Sequence, residues 1–378
     1  MNTSQGGPLR LFFYVNGFIM TTILAFIAAG IMTTYSSPFT SETAKAWMKD
    51  VNANQLFMHV IKSENHAFFP NQKSPDLYSI SELTFELATN IQPTDIRTFV
   101  KSELPGLSIY DTEIAVAGYG TDLTTLPVES APPMEVLLQE RAIAKEKLQS
   151  DPGDGVTPVV PGAKSVFIYH THSYESFIPL LQGAKSKDDA ISSNEKVNVI
   201  ALGKKLTDEL AKYGIGVEHD QTNMTAELKK KSWDWASSYS LSREIVEAAV
   251  AENKNLSYFI DIHRDSLSRD ITTTVINQKE YARLFFIVGR ENKNYEENLQ
   301  IATELNKKLE ERYPGISRGV FIKGKSEGNG VYNQDISNRA LLLEVGGVEN
   351  DLTELNNSIK AFAEIFSEFY KKAEMVNG

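Results

Sequence analysis

The sequence predicts an α/β domain over residues 164–378, in which a mostly parallel sheet is flanked by helices. Short apolar runs of strand length alternate there with longer segments of helical periodicity. This alternation is typical of parallel sheets, because parallel neighbours are joined by long crossover connections. An uncharged apolar segment at 11–35 and a Pro/Gly-rich run at 150–163 set the preceding chain apart. We therefore expect an anchored chain of several parts that ends in an α/β domain.

The segment 11–35 is predicted to be a transmembrane helix, since roughly 20 apolar residues span a bilayer. A cleaved signal peptide is the alternative, but its apolar core is shorter, about 7–15 residues. Residues 1–10 contain Arg10 and no acidic side chain, which places the amino terminus in the cytoplasm. We predict a single-pass protein of the cell membrane, with most of the chain outside the cytoplasm.

Between the anchor and the α/β domain, residues 36–131 are predicted to form a smaller extracytoplasmic segment of mixed α+β structure. It includes a strand-like run at Thr112–Ala117 and carries no motif with evident chemistry. Residues 132–163 are predicted to form a charged helix at Glu135–Leu148 and then a linker, because the Pro/Gly-rich run has too little apolar content to pack.

Within the α/β domain, the apolar runs predict five strands and the helical periodicities predict four helices. The strands are Ser165–Tyr169, Ile215–Glu218, Tyr258–Ile262, Leu284–Gly289 and Ala340–Leu343. The helices are Val197–Tyr213, Leu241–Asn253, Tyr295–Tyr313 and Leu352–Ala373.

Composition excludes several classes of function. The net charge of −11 and the pI near 5.2 offer no basic face for phosphates, so nucleic-acid binding is not expected. The chain has no cysteine, which excludes disulfides, thiolate zinc fingers and cysteine nucleophiles. Any metal ion must therefore be bound by His, Asp or Glu.

Three of the predicted strands are followed at once by ionisable side chains. His172 follows the first strand, His263 follows the strand Tyr258–Ile262, and Glu344 follows the strand Ala340–Leu343. Ligand sites of open α/β sheets lie at the carboxyl ends of the strands, so these side chains should meet at one edge. Two His and one carboxylate are a common catalytic ligand set for Zn²⁺.

The sequence predicts a zinc site formed by His172, Glu175 and His263. Glu175 lies three residues after His172, so both side chains can reach one ion from a single turn. His170 is a further candidate, either as a ligand or as a hydrogen-bonding partner of one. Glu344 is predicted to be the general base and then the general acid, because a carboxylate in an apolar run is costly to bury without a role.

Several segments resemble the stage II sporulation protein P family of endospore-forming bacteria. They include VFIYHTHSYESF, YFIDIHRDS, SRGVFIKG, GNGVYNQD and ALLLEVGGVEN, in this order after a single transmembrane segment. The resemblance implies a zinc N-acetylmuramoyl-L-alanine amidase that also cleaves peptide cross-links of peptidoglycan. It further implies action at the sporulation septum during engulfment, in a membrane complex with stage II sporulation proteins D, a lytic transglycosylase, and M.

The carboxyl-terminal domain is also similar to the broader zinc amidases, whose fold resembles that of zinc carboxypeptidases. This similarity implies that His172 and His263 bind zinc and that Glu344 is catalytic. The remaining ligand is Glu175 by the carboxypeptidase-like spacing, or Glu195 if it comes from the start of the next helix, as in many such amidases. The Gly-rich sequence that usually surrounds the first His of these amidases is absent.

Four residues are candidate substrate contacts: Arg264, Arg318, Asn333 and Arg339. Stem peptides carry carboxylates, which the planar guanidinium of arginine binds in a bidentate manner. Two alternatives to the amidase remain: a zinc carboxypeptidase or endopeptidase that acts on stem peptides only, and a non-catalytic scaffold at the septum.

Overall fold

The computed structural model describes residues 113–127, 132, 134–138, 140–148, 163–325 and 327–377. The chain divides into two units, Met1–Pro105 and Gly106–Gly378, and every described residue belongs to the second. The predicted tail, membrane helix and most of the segment 36–131 lie outside the described residues, as does most of the linker. Among the helices that are described, none combines the length and apolarity needed to cross a bilayer.

The described strands and helices are numbered here in chain order. The strands are β1 (Glu113–Ala117), β2 (Lys164–Tyr169), β3 (Gly216–His219), β4 (Tyr258–Asp265), β5 (Thr273–Ile276), β6 (Lys279–Ala282), β7 (Leu284–Gly289), β8 (Ser317–Lys323) and β9 (Ala340–Gly347). The helices are α1 (Met134–Leu137), α2 (Val199–Lys212), α3 (Met224–Lys231), α4 (Ser238–Glu252), α5 (Arg269–Thr272), α6 (Tyr295–Arg312) and α7 (Leu352–Asn377).

Seven strands form one sheet in the order β1-β8-β7-β9-β4-β2-β3. Strands β3, β2, β4 and β9 are parallel to one another, which confirms the predicted mostly parallel sheet with flanking helices. Strand β7 is antiparallel to β9 and parallel to β8. The reversal follows from the connection, because the chain between β4 and β7 forms the hairpin β5–β6 instead of a long crossover helix.

Two strands of the sheet differ from the sequence prediction. Strand β8 was not predicted, because Arg318, Gly319 and Lys323 interrupt the apolar run even though the whole strand is buried. Strand β1 was predicted but grouped with the segment 36–131, whereas it pairs antiparallel with β8 at the edge of the sheet. Local periodicity does not reveal such a pairing, because the partner strand lies far away in sequence.

The two faces of the sheet are covered unequally. Helices α2, α6 and α7 pack on one face, against alternate residues such as Ile260 and Leu343. Helix α4 packs on the other face, where Phe259 and Ala340 belong to its core. Because side chains alternate along a strand, Asp261, His263 and Glu344 point toward the face that α4 covers.

Candidate metal centre

The parallel strands β2, β4 and β9 are neighbours, so their carboxyl ends meet at one edge of the sheet. Tyr169, the last residue of β2, is in register with Asp261 on β4. His263 on β4 is in register with Glu344 on β9. Neighbouring strands lie about 4.8 Å apart, so these register pairs bring the predicted site residues close together.

His172, Glu175 and His263 form a compact buried cluster, in which one ligand atom from each lies within 4.8 Å of the others. Nδ1 of His172 lies 3.5 Å from Oε1 of Glu175. Nδ1 of His263 lies 3.6 Å from Oε2 of the same carboxylate. The exposed fractions of the three residues are 1%, 0% and 1%. Two segments that are distant in sequence, one with His172 and Glu175 and the other with His263, thus converge on one point.

The donor set and geometry of this cluster fit a zinc ion. Bonds of about 2.0–2.1 Å in a tetrahedral shell place neighbouring ligand atoms roughly 3.3 Å apart, close to the observed 3.5 and 3.6 Å. Within the described part of the chain, both ring nitrogens of His172, Nδ1 of His263 and Oε1 of Glu175 are buried without a hydrogen-bond partner. Buried polar atoms normally have partners, so a bound cation would account for these atoms.

Backbone contacts hold Glu175 in place. Its amide donates to the His172 carbonyl at 3.0 Å, and its own carbonyl accepts from the Val199 amide at 2.9 Å. Its side-chain Oε2 accepts from the backbone amide of Arg264 at 3.0 Å. The carboxylate is therefore fixed between the turn after β2 and the end of β4.

The charges of the cluster favour a cation. Burial raises the pKa of Glu175, but the nearby imidazoles of His172 and His263 and the charge of Arg264 lower it overall. Burial also lowers the pKa of His263, but Asp261, Glu175 and Glu344 together raise it to about 10. Without a metal ion, the negative charge of these three carboxylates favours a proton on the imidazole of His263.

Glu344 lies beside the cluster and is not one of its three members. Its Cα is in register with His263 on one side and with Phe285 on the other, and its side chain is 4% exposed. The influence of its charge on the pKa of His263 agrees with this proximity. The position suits a proton carrier next to a metal ion.

Aromatic side chains that sequence reasoning missed surround His172. Its ring centroid lies 5.6 Å from that of Tyr174, 5.3 Å from Trp235 and 5.4 Å from Tyr239. The Trp235 indole donates to the Tyr174 hydroxyl. Trp235 lies in the turn before α4 and Tyr239 in its first turn, and no local signal in the sequence links this segment to the strand ends.

Asp261 was also missed, although the sequence held a signal for it. Asp261 precedes His263 by two residues on β4, so both side chains lie on the same face. Its Oδ1 lies 3.1 Å from Nε2 of His263. A charged residue inside an otherwise apolar strand, in step with a predicted ligand, could have identified it.

His170 lies outside the three-residue cluster. Its Nε2 is 2.9 Å from Nε2 of His219, and its Nδ1 is 3.3 Å from the Ile262 carbonyl. Burial and the neighbouring His219 hold the pKa of His170 well below its ordinary value. Gly203 permits this pair, because a Cβ there would lie 2.4 Å from His219 and 2.5 Å from His170.

Glu195, the alternative ligand, is exposed and lies away from the cluster. It lines an open groove beside α2 together with Lys196, Lys204 and His219. Of the two carboxylates that the sequence left open, the structure therefore brings Glu175 to the histidines.

Two of the expected substrate contacts bind protein atoms at the carboxyl edge. The guanidinium of Arg264, which is 1% exposed, donates to the carbonyls of Ser176 and Ala190 at 2.8 and 3.1 Å. Asn333 donates from Nδ2 to the Tyr239 carbonyl at 3.1 Å. Both side chains therefore connect loops around the metal centre.

The other two expected substrate contacts, Arg339 and Arg318, lie at different places in the domain. Arg339 precedes β9, at the opposite edge of the sheet from Glu344, and its guanidinium is 3.4 Å from Glu374. Arg318 is buried at the start of β8, where it pairs with Asp265 and donates to the Thr125 carbonyl. Its guanidinium carbon lies 4.8 Å above the ring of Phe285.

Comparison with known proteins identifies a family. The profile of the family described as Stage II sporulation protein P (SpoIIP) matches residues 94–367. Stage II sporulation protein P of Bacillus subtilis (strain 168) is 42% identical over 369 residues, which cover 95% of this chain and 92% of that protein. Among solved structures, Cwp6 from Clostridium difficile matches with a TM-score of 0.33 and 16% identity, over 55% of this chain and 29% of that chain. Similarity at this TM-score is too low to indicate a common fold.

Proposed function

The chain belongs to the stage II sporulation protein P family of sporulation proteins, and we propose that it is a zinc-dependent peptidoglycan hydrolase. The bond that it cleaves is the amide between N-acetylmuramic acid and L-alanine, and peptide cross-links are a second substrate. The observation that carries the proposal is the buried cluster of His172, Glu175 and His263 with Glu344 beside it.

In this proposal His172, Glu175 and His263 hold the zinc ion, which when bound lowers the pKa of a water to about 7 and polarises a carbonyl. Glu344 accepts the proton of the attacking water. It then donates that proton to the amide nitrogen as the carbon–nitrogen bond breaks. The products are a free carboxylate on the lactyl group and a free amine on the stem peptide.

Arg318 is our proposed contact for a carboxylate of the stem peptide. It lies two strands from Glu344, since Phe285 on β7 is in register with both Glu344 and Gly319. At about 4.8 Å between strands, the backbone of Gly319, the residue after Arg318, is roughly 10 Å from the backbone of Glu344. Within the described residues the Nε of Arg318 is buried and has no hydrogen-bond partner, so the protein leaves this donor unsatisfied.

We extend the proposal to the setting of the reaction. The protein would be anchored in the membrane of the sporulation septum by residues 11–35 and would thin the septal wall during engulfment. Stage II sporulation proteins D and M are its proposed partners, and they would form one membrane complex with it. These statements rest on the resemblance of the sequence to its family and on the apolar segment.

The test uses the full chain, purified in detergent. Bound zinc is measured by mass spectrometry of the metal, and the fragments released from purified peptidoglycan are identified by peptide mass spectrometry. We expect one zinc ion per chain and the release of intact stem peptides from the glycan strands. Glu175→Gln should lose zinc, whereas the matched control Glu195→Gln should keep both zinc and hydrolysis, because Glu195 is exposed and is not part of the cluster of His172, Glu175 and His263.

Each other result contradicts a stated part of the proposal. Peptides released only by cutting within the stem would indicate an endopeptidase or carboxypeptidase. A protein that binds no zinc and releases no fragments, even with the transglycosylase present, would be a scaffold instead of an enzyme.

A further inference from the structure

Asp261 is a fully buried carboxylate in the middle of the central strand β4. Burying a carboxylate is costly unless strong hydrogen bonds or a charged partner compensate for the lost water. Asp261 has such contacts on two sides, and both lead to proposed zinc ligands. Their arrangement suggests a role beyond the stability of the strand.

The first contact is with His263. Oδ1 of Asp261 lies 3.1 Å from Nε2 of the imidazole, while Nδ1 on the opposite side of the ring faces Glu175 at 3.6 Å. A carboxylate only accepts hydrogen bonds, so it favours the tautomer that carries its proton on Nε2. That tautomer leaves the lone pair of Nδ1 directed toward the cluster.

The second contact is with the segment that carries His172. Thr171, the residue immediately before His172, donates from its backbone amide to Oδ1 of Asp261 at 2.9 Å and from its hydroxyl to Oδ2 at 2.6 Å. One carboxylate therefore contacts the ring of one histidine and accepts hydrogen bonds from the residue beside the other.

A polar network supports this arrangement from behind. The hydroxyls of Thr171 and Ser242 are hydrogen-bonded at 2.8 Å, and Nδ2 of Asn333 donates to the Ser242 hydroxyl at 2.9 Å. The network joins β2, α4 and the loop before β9, and each of these residues is buried. The Thr171 hydroxyl thus has a second polar neighbour besides Asp261.

We propose that Asp261 is a positioning residue that sets the orientation of both histidines and thereby raises the affinity for zinc. The inference rests on the proposed zinc site and adds a residue that acts through the ligands. Removing a carboxylate behind a ligand histidine typically costs 10–100-fold in metal affinity.

The test compares Asp261→Asn and Asp261→Ala with the parent chain and with Asp220→Asn. Asparagine keeps the shape of the side chain and an oxygen that accepts from Thr171, so this variant should fold. Asp220 is the control, because its carboxylate also accepts from a threonine hydroxyl, Thr222, at 2.7 Å, but lies outside the cluster. Zinc affinity is measured by competition with a chelator. The visible spectrum of the Co²⁺-substituted protein reports the geometry of the ligands. Thermal unfolding of the metal-free protein reports its stability.

We expect zinc affinity to fall about 10–100-fold in Asp261→Asn, with an altered Co²⁺ spectrum and an unchanged unfolding temperature of the metal-free protein. Asp220→Asn should leave all three unchanged. Unchanged zinc affinity in both Asp261 variants would overturn the inference. A parent chain that binds no zinc would overturn the proposed function and the inference together. A parent chain that binds zinc without hydrolysing peptidoglycan would overturn only the function.

Discussion

Replacing Arg264 distinguishes a structural role from a role in binding substrate. Arg264 follows the proposed ligand His263, and from the sequence it is a candidate substrate contact. In the structure its guanidinium donates to the carbonyls of Ser176 and Ala190 at 2.8 and 3.1 Å and to the Ser266 hydroxyl at 3.2 Å. Arg264→Met keeps much of the aliphatic stem and removes these donors, so it isolates the polar contribution.

The expected loss follows from these contacts. A hydrogen bond from a charged donor contributes about 1.5–3 kcal/mol, so the two carbonyl contacts together contribute about 3–6 kcal/mol. The Ala190 carbonyl also accepts from the Ser176 amide at 3.0 Å and would not be left without a partner. We therefore expect a loss of free energy of unfolding in the lower part of that range, about 3–5 kcal/mol. In a domain of this size that lowers the unfolding temperature by about 6–20 °C.

The assay is thermal unfolding of the full chain, followed by calorimetry, with the KM for peptidoglycan measured well below the transition. Arg339→Met is the control, because its guanidinium is partly exposed and 3.4 Å from Glu374, a surface pair worth about 0–1 kcal/mol. A variant of Arg264 that unfolds at the parental temperature but has a raised KM would refute the reasoning and identify a substrate contact.

Three further predictions concern the metal centre and its surroundings. Glu344→Gln should keep zinc and lower the rate of hydrolysis about 100- to 10,000-fold, because it removes the proposed proton carrier. Metal analysis and initial rates measure the two effects. Loss of zinc would instead make Glu344 a ligand. Adding zinc at 100 times its dissociation constant should stabilise the chelator-treated protein by about 2.7 kcal/mol in denaturant titrations, and His172→Ala should abolish that gain. Burial lowers the pKa of His219 from 6.5 to about 4 in the folded protein. As the pH falls, the imidazole is therefore protonated first in the unfolded chain, and the free energy of unfolding decreases below pH 6.5. We expect the free energy of unfolding to fall by about 3 kcal/mol between pH 6.5 and pH 4, and by less in His219→Gln. Equal losses in the two proteins would contradict the low pKa of His219.

Much of the fold could be predicted from the sequence because its elements follow local rules. Strand β7 is a continuous apolar run, and most of β2 and the first half of β4 are apolar, since both faces of the sheet are covered. Helix α6 shows helical periodicity over its whole length, and its observed bounds are within one residue of those predicted. Strand β8 escaped prediction because buried Arg318 and Lys323 find partners only after folding.

Some residues of the candidate site could be predicted from the sequence and others could not. His172, His263 and Glu344 each follow an apolar strand, so the sequence alone placed them at one edge of a parallel sheet. The same reasoning could also have identified Asp261, because residues two apart on a strand share a face and Asp261 precedes His263 by two residues. Trp235 and Tyr239 were not, since contacts between a helix and a distant strand end leave no periodic signal.

The sequence by itself determined the α/β class of the second unit, the absence of cysteine ligands and the convergence of two histidines with a glutamate. These features depend on the type of residue and on its place along a strand, which are both local properties. Only the tertiary structure brings Glu175, and not Glu195, into the cluster with the two histidines, and only the tertiary structure directs the Arg264 side chain to backbone carbonyls. Those outcomes depend on how loops distant in sequence pack against each other, because the direction of a side chain beyond the end of a strand is set by its neighbours in space.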